Sequence, residues 1–340
     1  MVKLLLEQAS RNESGQVLLR SKLRAVSRRM GFSQVVREKI EIACSEMVTN
    51  QIKYAEGNGL VQIFEVRGAA PALDLFAMDY GGGIEDMDAA MKDGFSTAKT
   101  LGKGLGAIQR LAHESEFYSL KRGQVVDTPW HGTAVWARFY SKPAPSPSPY
   151  QMGSFMRAFQ DDNYNGDYIH AIAMESKIRW LHMDGLGHGF EAYSAVNGMD
   201  QVLTAEGSFE QNMENIDRRL QGTRGAVAIL CEADFIERSV KVCGVGDMSA
   251  YRISNGEKRS LNFSPGILGY EHRSVSVETL PLPPQALFIT TSDGLRKTWT
   301  LGSFPGLWRL HPQIISLVLA QVVGRGNDDR SIVTLRSTPK

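Results

Sequence analysis

"KIRWLHMDGLGHG", residues 177–189, runs in strand-like alternation up to an acid, Asp184, and follows it with Gly185, Gly187 and Gly189 around His188. A strand that stops on a carboxylate beside backbone free of side chains is a place where a ligand can come close. The device occurs a hundred positions earlier as well: "ALDLFAMDYGGG", residues 72–83, ends its alternation on Asp79 and continues into Gly81, Gly82 and Gly83. Either one site recurs, or two different sites share a turn.

Working outward from Asp184, the surrounding chain is rich in strands. "YIHAIAME" (168–175), "GAVAILCEAD" (225–234), "SVKVCGVGD" (239–247), "SVSVETL" (274–280), "ALFITTSDG" (286–294) and "SIVTLRS" (331–337) read as strands, with helical stretches at 190–203, 208–220 and 312–323. The order predicts two β-layers with helices outside, an α+β sandwich. Acids recur where these strands start or stop: Asp167 in "NGDY", Asp184, Asp293 in "TSDG", and Asp328 and Asp329 in "NDDRS". Gathered carboxylates repel one another, and hard divalent cations are what neutralise such a group. Carboxylate and water ligands suit Mg²⁺ or Mn²⁺, and two such ions about 3.5–4 Å apart can hold a hydroxide and phosphate oxygens for in-line attack. Any single Asp-Gly here is better explained as an ordinary turn, and Asp247 in "GVGD" is assigned to a turn rather than to ligation; it is the recurrence at strand ends that points to a site.

The first half carries a different chemistry. In "REKIEIACSEMVTNQIKYAE" (37–56), Ile40, Cys44, Met47, Val48 and Ala55 share one arc of a helix, and Glu46 and Asn50 stand one turn apart elsewhere on it. That spacing lets a carboxylate accept a proton while a neighbouring amide oxygen holds a metal ion; a solvated polar face is the plainer alternative. The strand-like "LVQIFEVRG" (60–68) and "ALDLFAMD" (72–79) follow, so that Asp79 stands where it can accept from the exocyclic amine of a base. "FSTAKTLGKGLGAIQRL" (95–111) places Gly102, Gly104 and Gly106 ahead of a helical "AIQRLAHE", bare backbone of the kind that suits phosphates. Neither a GxxxxGK[ST] loop nor a post-strand GxGxxG occurs.

The whole chain sets limits. Its 340 residues favour two domains, and 38 basic against 37 acidic residues leave a net charge of +1 with no basic concentration for nucleic acid or an anionic membrane. No apolar run approaches the roughly 18 residues of a membrane span, so the expected location is the cytoplasm, without membrane or nucleic-acid partners. Cys44, Cys231 and Cys243 have no CxxC spacing and are expected as buried free thiols. "SKPAPSPSP" (141–149) holds four of the thirteen prolines and reads as an extended linker. The expected organisation is a first domain over 1–140, a linker over 141–153 and a second domain over 154–340.

Taken in order, "SEMVTNQIKYA", "MDYGGGI", "KDGFSTAKTLGKGLGAIQRL" and "HGTAVWARF" resemble the GHKL ATPase superfamily, and within it the RsbT-like switch serine kinases of bacterial partner switching. The resemblance spans roughly residues 15 to 140. It implies an α/β sandwich with helices on one face of a mixed sheet, ATP with Mg²⁺ as cofactor, Glu46 as general base toward a protein serine, and Asn50 as the Mg²⁺ ligand. Asp79 would bind adenine, with Gly81, Gly83, Gly102, Gly104, Gly106 and Thr133 shaping the pocket. Lys103 interrupts the glycine run, and the helix start lacks the proline common in those kinases. In the second half, "NGDY", "MDGLGHG", "TRGAVAIL", "VGDMSAYRI", "TTSDGL" and "NDDRSIVTL" resemble the SpoIIE-like metal-dependent (PPM-type) protein phosphatases, most closely the small RsbX-like members, across roughly 155 to 337. That likeness implies a β-sandwich flanked by helices and two Mn²⁺ or Mg²⁺ ions bridged by Asp184. Asp167, Asp293, Asp328 and the Gly185 carbonyl would complete the ligand set, Asp329 standing second in rank. Together the two resemblances imply a kinase and a phosphatase acting on a STAS-domain antagonist, with a downstream regulator or sigma-factor module as a further partner. The alternative keeps the phosphatase and makes the first domain a nucleotide-gated docking or anti-sigma module without phosphotransfer.

Overall fold

The apolar arc predicted on residues 37–56 lies within a 22-residue helix whose Ile40, Cys44, Met47, Val48 and Ala55 are all buried. The protein, here a computed structural model, is described over residues 2–11, 13–68, 70–91 and 104–338. It divides into two compact units, Val2–Ser146 with Gly302–Leu310, and Pro147–Leu301 with His311–Lys340.

The first unit runs β1 (Val2–Ala9), α1 (Glu13–Arg29), α2 (Gln34–Ala55), β2 (Gly59–Val66), β3 (Ala72–Asp79), α3 (Met87–Met91), α4 (Leu105–Leu111), β4 (Glu114–Leu120) and β5 (Gly132–Tyr140). Its sheet has the order β1-β2-β3-β5-β4, and every neighbouring pair is antiparallel. The expectation of a mixed sheet is therefore corrected. Short returns join β2 to β3 and β4 to β5, and β5 enters beside β3 in the opposite sense, so no parallel neighbours arise. Helices cover one face. Val61, Ile63, Leu73, Leu75, Ala77, Val135, Ala137 and Phe139 alternate along β2, β3 and β5 and pack with Leu19, Leu23 and Val26 of α1 and the arc of α2. Ser33 caps α2 by accepting from the Val36 amide, and Glu56 ends it in the left-handed region at φ 52°. The helix expected over 107–114 is α4, which stops at Leu111 because His113 and Glu114 join the start of β4.

The second unit runs β6 (Tyr150–Arg157), β7 (Asp167–Ala173), β8 (Lys177–Gly185), α5 (Phe190–Val196), α6 (Phe209–Leu220), β9 (Ala226–Asp234), β10 (Ser239–Val245), β11 (Ser249–Ser254), β12 (Glu257–Leu261), β13 (Glu278–Pro281), β14 (Leu287–Thr291), α7 (Pro312–Val322) and β15 (Arg330–Ser337). Two five-stranded sheets result, β13-β10-β9-β8-β7 and β12-β11-β14-β15-β6. Strand β6 begins at Tyr150, within the stretch expected as linker, and pairs along its whole length with β15. Ile178, Trp180, Ile229, Cys231 and Val242 of the first sheet meet Ala250, Phe288, Val333 and Leu335 of the second in the sandwich core. On the outer face of the first sheet, Phe209, Met213, Ile216 and Leu220 of α6 pack with Leu181, Met183, Leu230 and Val245. Ser208 and Gln211 form a reciprocal capping box at the start of α6. Helix α7 lies on β6 and β15. A Cβ on Gly153 would stand 2.3 Å from the Pro312 carbonyl carbon, so only glycine lets the helix this close, and Gln313 fastens it by bonding both the amide and the carbonyl of Ser154.

All three cysteines are free and buried. No helix among the described residues is long and apolar enough to cross a membrane.

Candidate functional site

Each unit carries its own cluster. In the first, the helix-facing rows of β3 and β5 end on Asp79 and Thr133, two residues beyond Ala77 and two before Val135, so both side chains continue toward α2. There a cavity of about 280 Å³ opens, lined by Asn50, Gln51 and Tyr54 of α2, Asp79, Gly83, Gly104, Thr133 and apolar neighbours. Asp79 is buried, and its Oδ1 accepts from the amides of Gly81 (2.9 Å) and Thr133 (3.1 Å). Burial pushes its carboxyl above the usual range, and those two amides and His131 pull the other way. Trp130 donates from Nε1 to the Asp79 carbonyl, fixing the strand end from behind.

Two glycines here are obligatory. Gly83 has φ +75°, and a Cβ on it would stand 2.1 Å from the Leu120 carbonyl oxygen; one on Gly132 would stand 2.2 Å from that of Asp79. Gly81 is close-packed as well, its missing Cβ facing the Tyr54 carbonyl at 2.8 Å. Gly104 precedes α4, and among the described residues a Cβ on it would meet nothing within 4 Å; Gly106 is buried within α4. Gly102 and the "DGFST" stretch lie outside the described residues. Asn50 lines the cavity, whereas Glu46, one turn earlier on α2, does not.

In the second unit, Asp167 and Asp184 are direct partners across β7 and β8. Asp184 lies in the field of Asp167, Asp293, Asp328 and Asp247; burial first and these four charges next raise its carboxyl well above the ordinary range. Asp167 is pushed up to about 8, by burial first, with Asp329 and Asp293 adding and hydrogen bonds from Ser331 and Ser292 opposing. Asp293 is raised by burial and by Asp328 and Asp247, and Arg325 and Lys297 oppose that rise. Asp247, expected in a turn, is brought by the fold into the same field; the sequence signals for it are its place at a strand end and its likeness to a phosphatase family position in "VGDMSAYRI". Gly185 closes β8 with its amide donating to the Gly166 carbonyl, and a Cβ there would meet the Ala192 carbonyl oxygen at 2.7 Å.

Asp329 does something separate from its neighbour. Its Oδ1 accepts from the Phe159 amide (2.6 Å) and its Oδ2 from the Gly166 amide (2.7 Å), so it clamps the loop that presents Asp167. Asp328 lies in the field of the other acids and accepts from the Asp329 amide. His188 meets the Phe159 ring at a tilt of 57°, ring centroids 5.1 Å apart.

Among the described residues, no three His, Cys, Asp or Glu side chains stand as a set that could hold one metal ion. The donor chemistry nevertheless fits hard divalent cations: burial and neighbouring acids hold the carboxyls of Asp167, Asp184 and Asp293 above their ordinary range, and Asp167 Oδ1 is buried without a hydrogen-bond partner. Beneath them His182, fully buried between the sheets, bonds Thr290 Oγ1 (2.8 Å) and Ser331 Oγ (2.7 Å), while Ser292 donates to Asp167 Oδ2 (2.9 Å).

Comparison with known proteins follows this division. Residues 10–130 match the family described as histidine kinase-like ATPase domain, and residues 175–304 match Stage II sporulation protein E. The serine/threonine-protein kinase RsbT of Bacillus subtilis (strain 168) is 39% identical over 99 residues, 28% of this chain and 73% of that protein. Among solved structures, one from the bacterial stressosome, described as a modular system adapted to control secondary messenger signalling, is 26% identical with a TM-score of 0.50, covering 56% of this chain and all of that one. RsbX in complex with magnesium shares the fold at 20% identity and a TM-score of 0.50, covering 56% of this chain and 97% of that one.

Proposed function

Because the chain belongs to the RsbT family of serine/threonine protein kinases through its first unit, and carries a SpoIIE-type phosphatase domain in its second, we propose that it is a bifunctional partner-switching regulator. In this reading one unit phosphorylates and the other dephosphorylates a serine or threonine of a STAS-domain antagonist. The observation that carries it is the presence in one chain of an RsbT-like nucleotide cavity ending on Asp79 and of a carboxylate field centred on Asp184.

In the first unit, Asp79 and Thr133 hold a purine base at the end of β3, and the close-packed Gly81 and Gly83 shape the wall beside it. Asn50 carries Mg²⁺, and Glu46 takes the proton of the attacking serine hydroxyl from one helical turn away. ATP with Mg²⁺ supplies the transferable phosphoryl group when bound. In the second unit, Asp167, Asp184, Asp293, Asp328 and the Gly185 carbonyl would hold two Mg²⁺ or Mn²⁺ ions, with Asp184 as the central ligand. The pair, when bound, supplies an activated water and charge neutralisation for the phosphate. Asp329 contributes by holding the Phe159–Gly166 loop, and Arg325 and Lys297 offset charge at Asp293.

Opposed activities on one serine would consume ATP without net change, so the reading includes either coupling between the units or different target residues. Phosphatase turnover measured with and without ATP, in the wild type and in Glu46→Ala, tests the coupling. ATP dependence in the wild type that vanishes in Glu46→Ala supports it; equal rates in all four conditions remove it.

A further inference from the structure

In the second unit, the rows of side chains that face between the two sheets change character at one level. On β8 the row runs Ile178, Trp180, His182 and Asp184; on β14 and just beyond it, Phe288, Thr290 and Ser292; on β15 and just before it, Leu335, Val333, Ser331 and Asp329. Each row starts in the apolar core, where Trp180 and Phe288 meet edge to face with centroids 5.9 Å apart, and ends beside the acids. Between core and acids lies a polar layer of His182, Thr290 and Ser331, all fully buried. His182 joins the sheets through it, with Nδ1 2.8 Å from Thr290 Oγ1 and Nε2 2.7 Å from Ser331 Oγ. Ser331 gives its amide to Ser292 Oγ (3.0 Å), and both serine hydroxyls bond the Asp167 carboxylate, Ser292 at 2.9 Å.

The end of this chain of bonds decides which way its hydrogens point. A carboxylate that holds a cation only accepts, so Ser292 and Ser331 each turn their hydroxyl hydrogen toward Asp167. The Ser331 oxygen, its one hydrogen already given, can only accept from His182, and Nε2 therefore carries the ring hydrogen. Burial keeps the imidazole neutral, which leaves Nδ1 bare to accept from the Thr290 hydroxyl. In the opposite tautomer Nε2 would take the Ser331 hydrogen and set that oxygen's lone pairs against the carboxylate. We propose that His182 is a positioning residue for Asp167: as the Nε2–H tautomer, fixed by Thr290, it commits the Ser331 hydroxyl to the carboxylate and so holds that acid in place for a divalent cation. The inference rests on the reading of the acids as a cation site.

The test is Mg²⁺ binding by the full chain without nucleotide, read by calorimetry, in the wild type, His182→Leu and His182→Gln. Loss of a group that orients a metal ligand from behind costs about 10- to 100-fold in affinity, so His182→Leu is expected to raise the Mg²⁺ dissociation constant at least about tenfold, with phosphatase kcat recovering at saturating Mg²⁺. His182→Gln, whose amide N–H can occupy the place of Nε2–H, should restore most of that affinity. A ring that only filled the core would lower stability in both variants without changing the dissociation constant. No loss of affinity in either variant, or equal loss in both, overturns the inference and leaves the cation site standing. Failure of the wild type to bind Mg²⁺ overturns both. If the variants do not fold, ring ¹⁵N spectra of the wild type with Mg²⁺ decide, the His182 signals being assigned by their movement in Thr290→Val. A protonated Nε2 with a bare Nδ1 is expected, and the reverse tautomer overturns the inference.

Discussion

Replacing Asp329 by Asn separates the clamp from the ion ligands. In the native protein each carboxylate oxygen accepts one backbone N–H, from Phe159 at 2.6 Å and from Gly166 at 2.7 Å. Bonds to a charged acceptor are each worth about 1.5–3 kcal/mol, and a buried donor left unpaired costs about 1–3 kcal/mol. Asparagine keeps one acceptor oxygen and turns an NH₂ toward the other amide, which removes one bond and strands a donor. Relief of the repulsion from Asp328 offsets part of this. The net expectation is about 2–4 kcal/mol lost locally, equivalent to roughly 30- to 1,000-fold faster amide exchange across 159–167. Because a Cβ on Gly166 would lie 2.9 Å from Asp329 Oδ2, no side chain at 166 can take over the contact. The assay is hydrogen–deuterium exchange of the full chain read by mass spectrometry, paired with phosphatase turnover across a Mg²⁺ titration. Faster exchange over this segment with a raised Mg²⁺ requirement is expected, because Asp167 directly follows Gly166. Unchanged exchange at Phe159 and Gly166 would refute the clamp.

Three further outcomes follow from the same geometry. Asp184→Asn should abolish phosphatase turnover while raising the thermal midpoint of the metal-free protein, since it removes the charge that four other acids oppose; a normal rate contradicts its role as the central ligand. Gly83→Ala should destabilise the first unit by more than about 1 kcal/mol and weaken ATP binding, because the residue sits at φ +75° with the Leu120 carbonyl 2.1 Å from the new carbon; chemical denaturation and nucleotide titration read both. Mg²⁺ or Mn²⁺ at a hundredfold above its dissociation constant should stabilise the second unit by about 2.7 kcal/mol and EDTA should reverse this, with calorimetry showing no shift if the acids hold no ion.

What the sequence made legible was local periodicity and chemistry at strand ends. The arc of α2 and the acids at 167, 184, 293 and 328 could be read directly, because each is a pattern of spacing or a residue type beside a turn. Properties that depend on distant partners could not. Asp247 enters the acidic field only when β10 is aligned beside β9, and Asp329 differs from Asp328 only through amides more than 160 residues away. Strand β6 was hidden because "YQMGSFMR" follows the prolines without a break and gains its strand character from pairing with β15. The sense of the first sheet was likewise a matter of which strands adjoin, which periodicity does not encode.

Opposed chemistry in a single chain is the central claim. The direct measurement is transfer of labelled γ-phosphate from ATP to a purified STAS-domain antagonist, comparing the wild type with Asp184→Asn and with Glu46→Ala. Label that appears transiently with the wild type, accumulates with Asp184→Asn and is absent with Glu46→Ala is the predicted result. Absence of label on the antagonist with Asp184→Asn, under conditions where the protein binds ATP, would contradict the claim that this chain both adds and removes the phosphate.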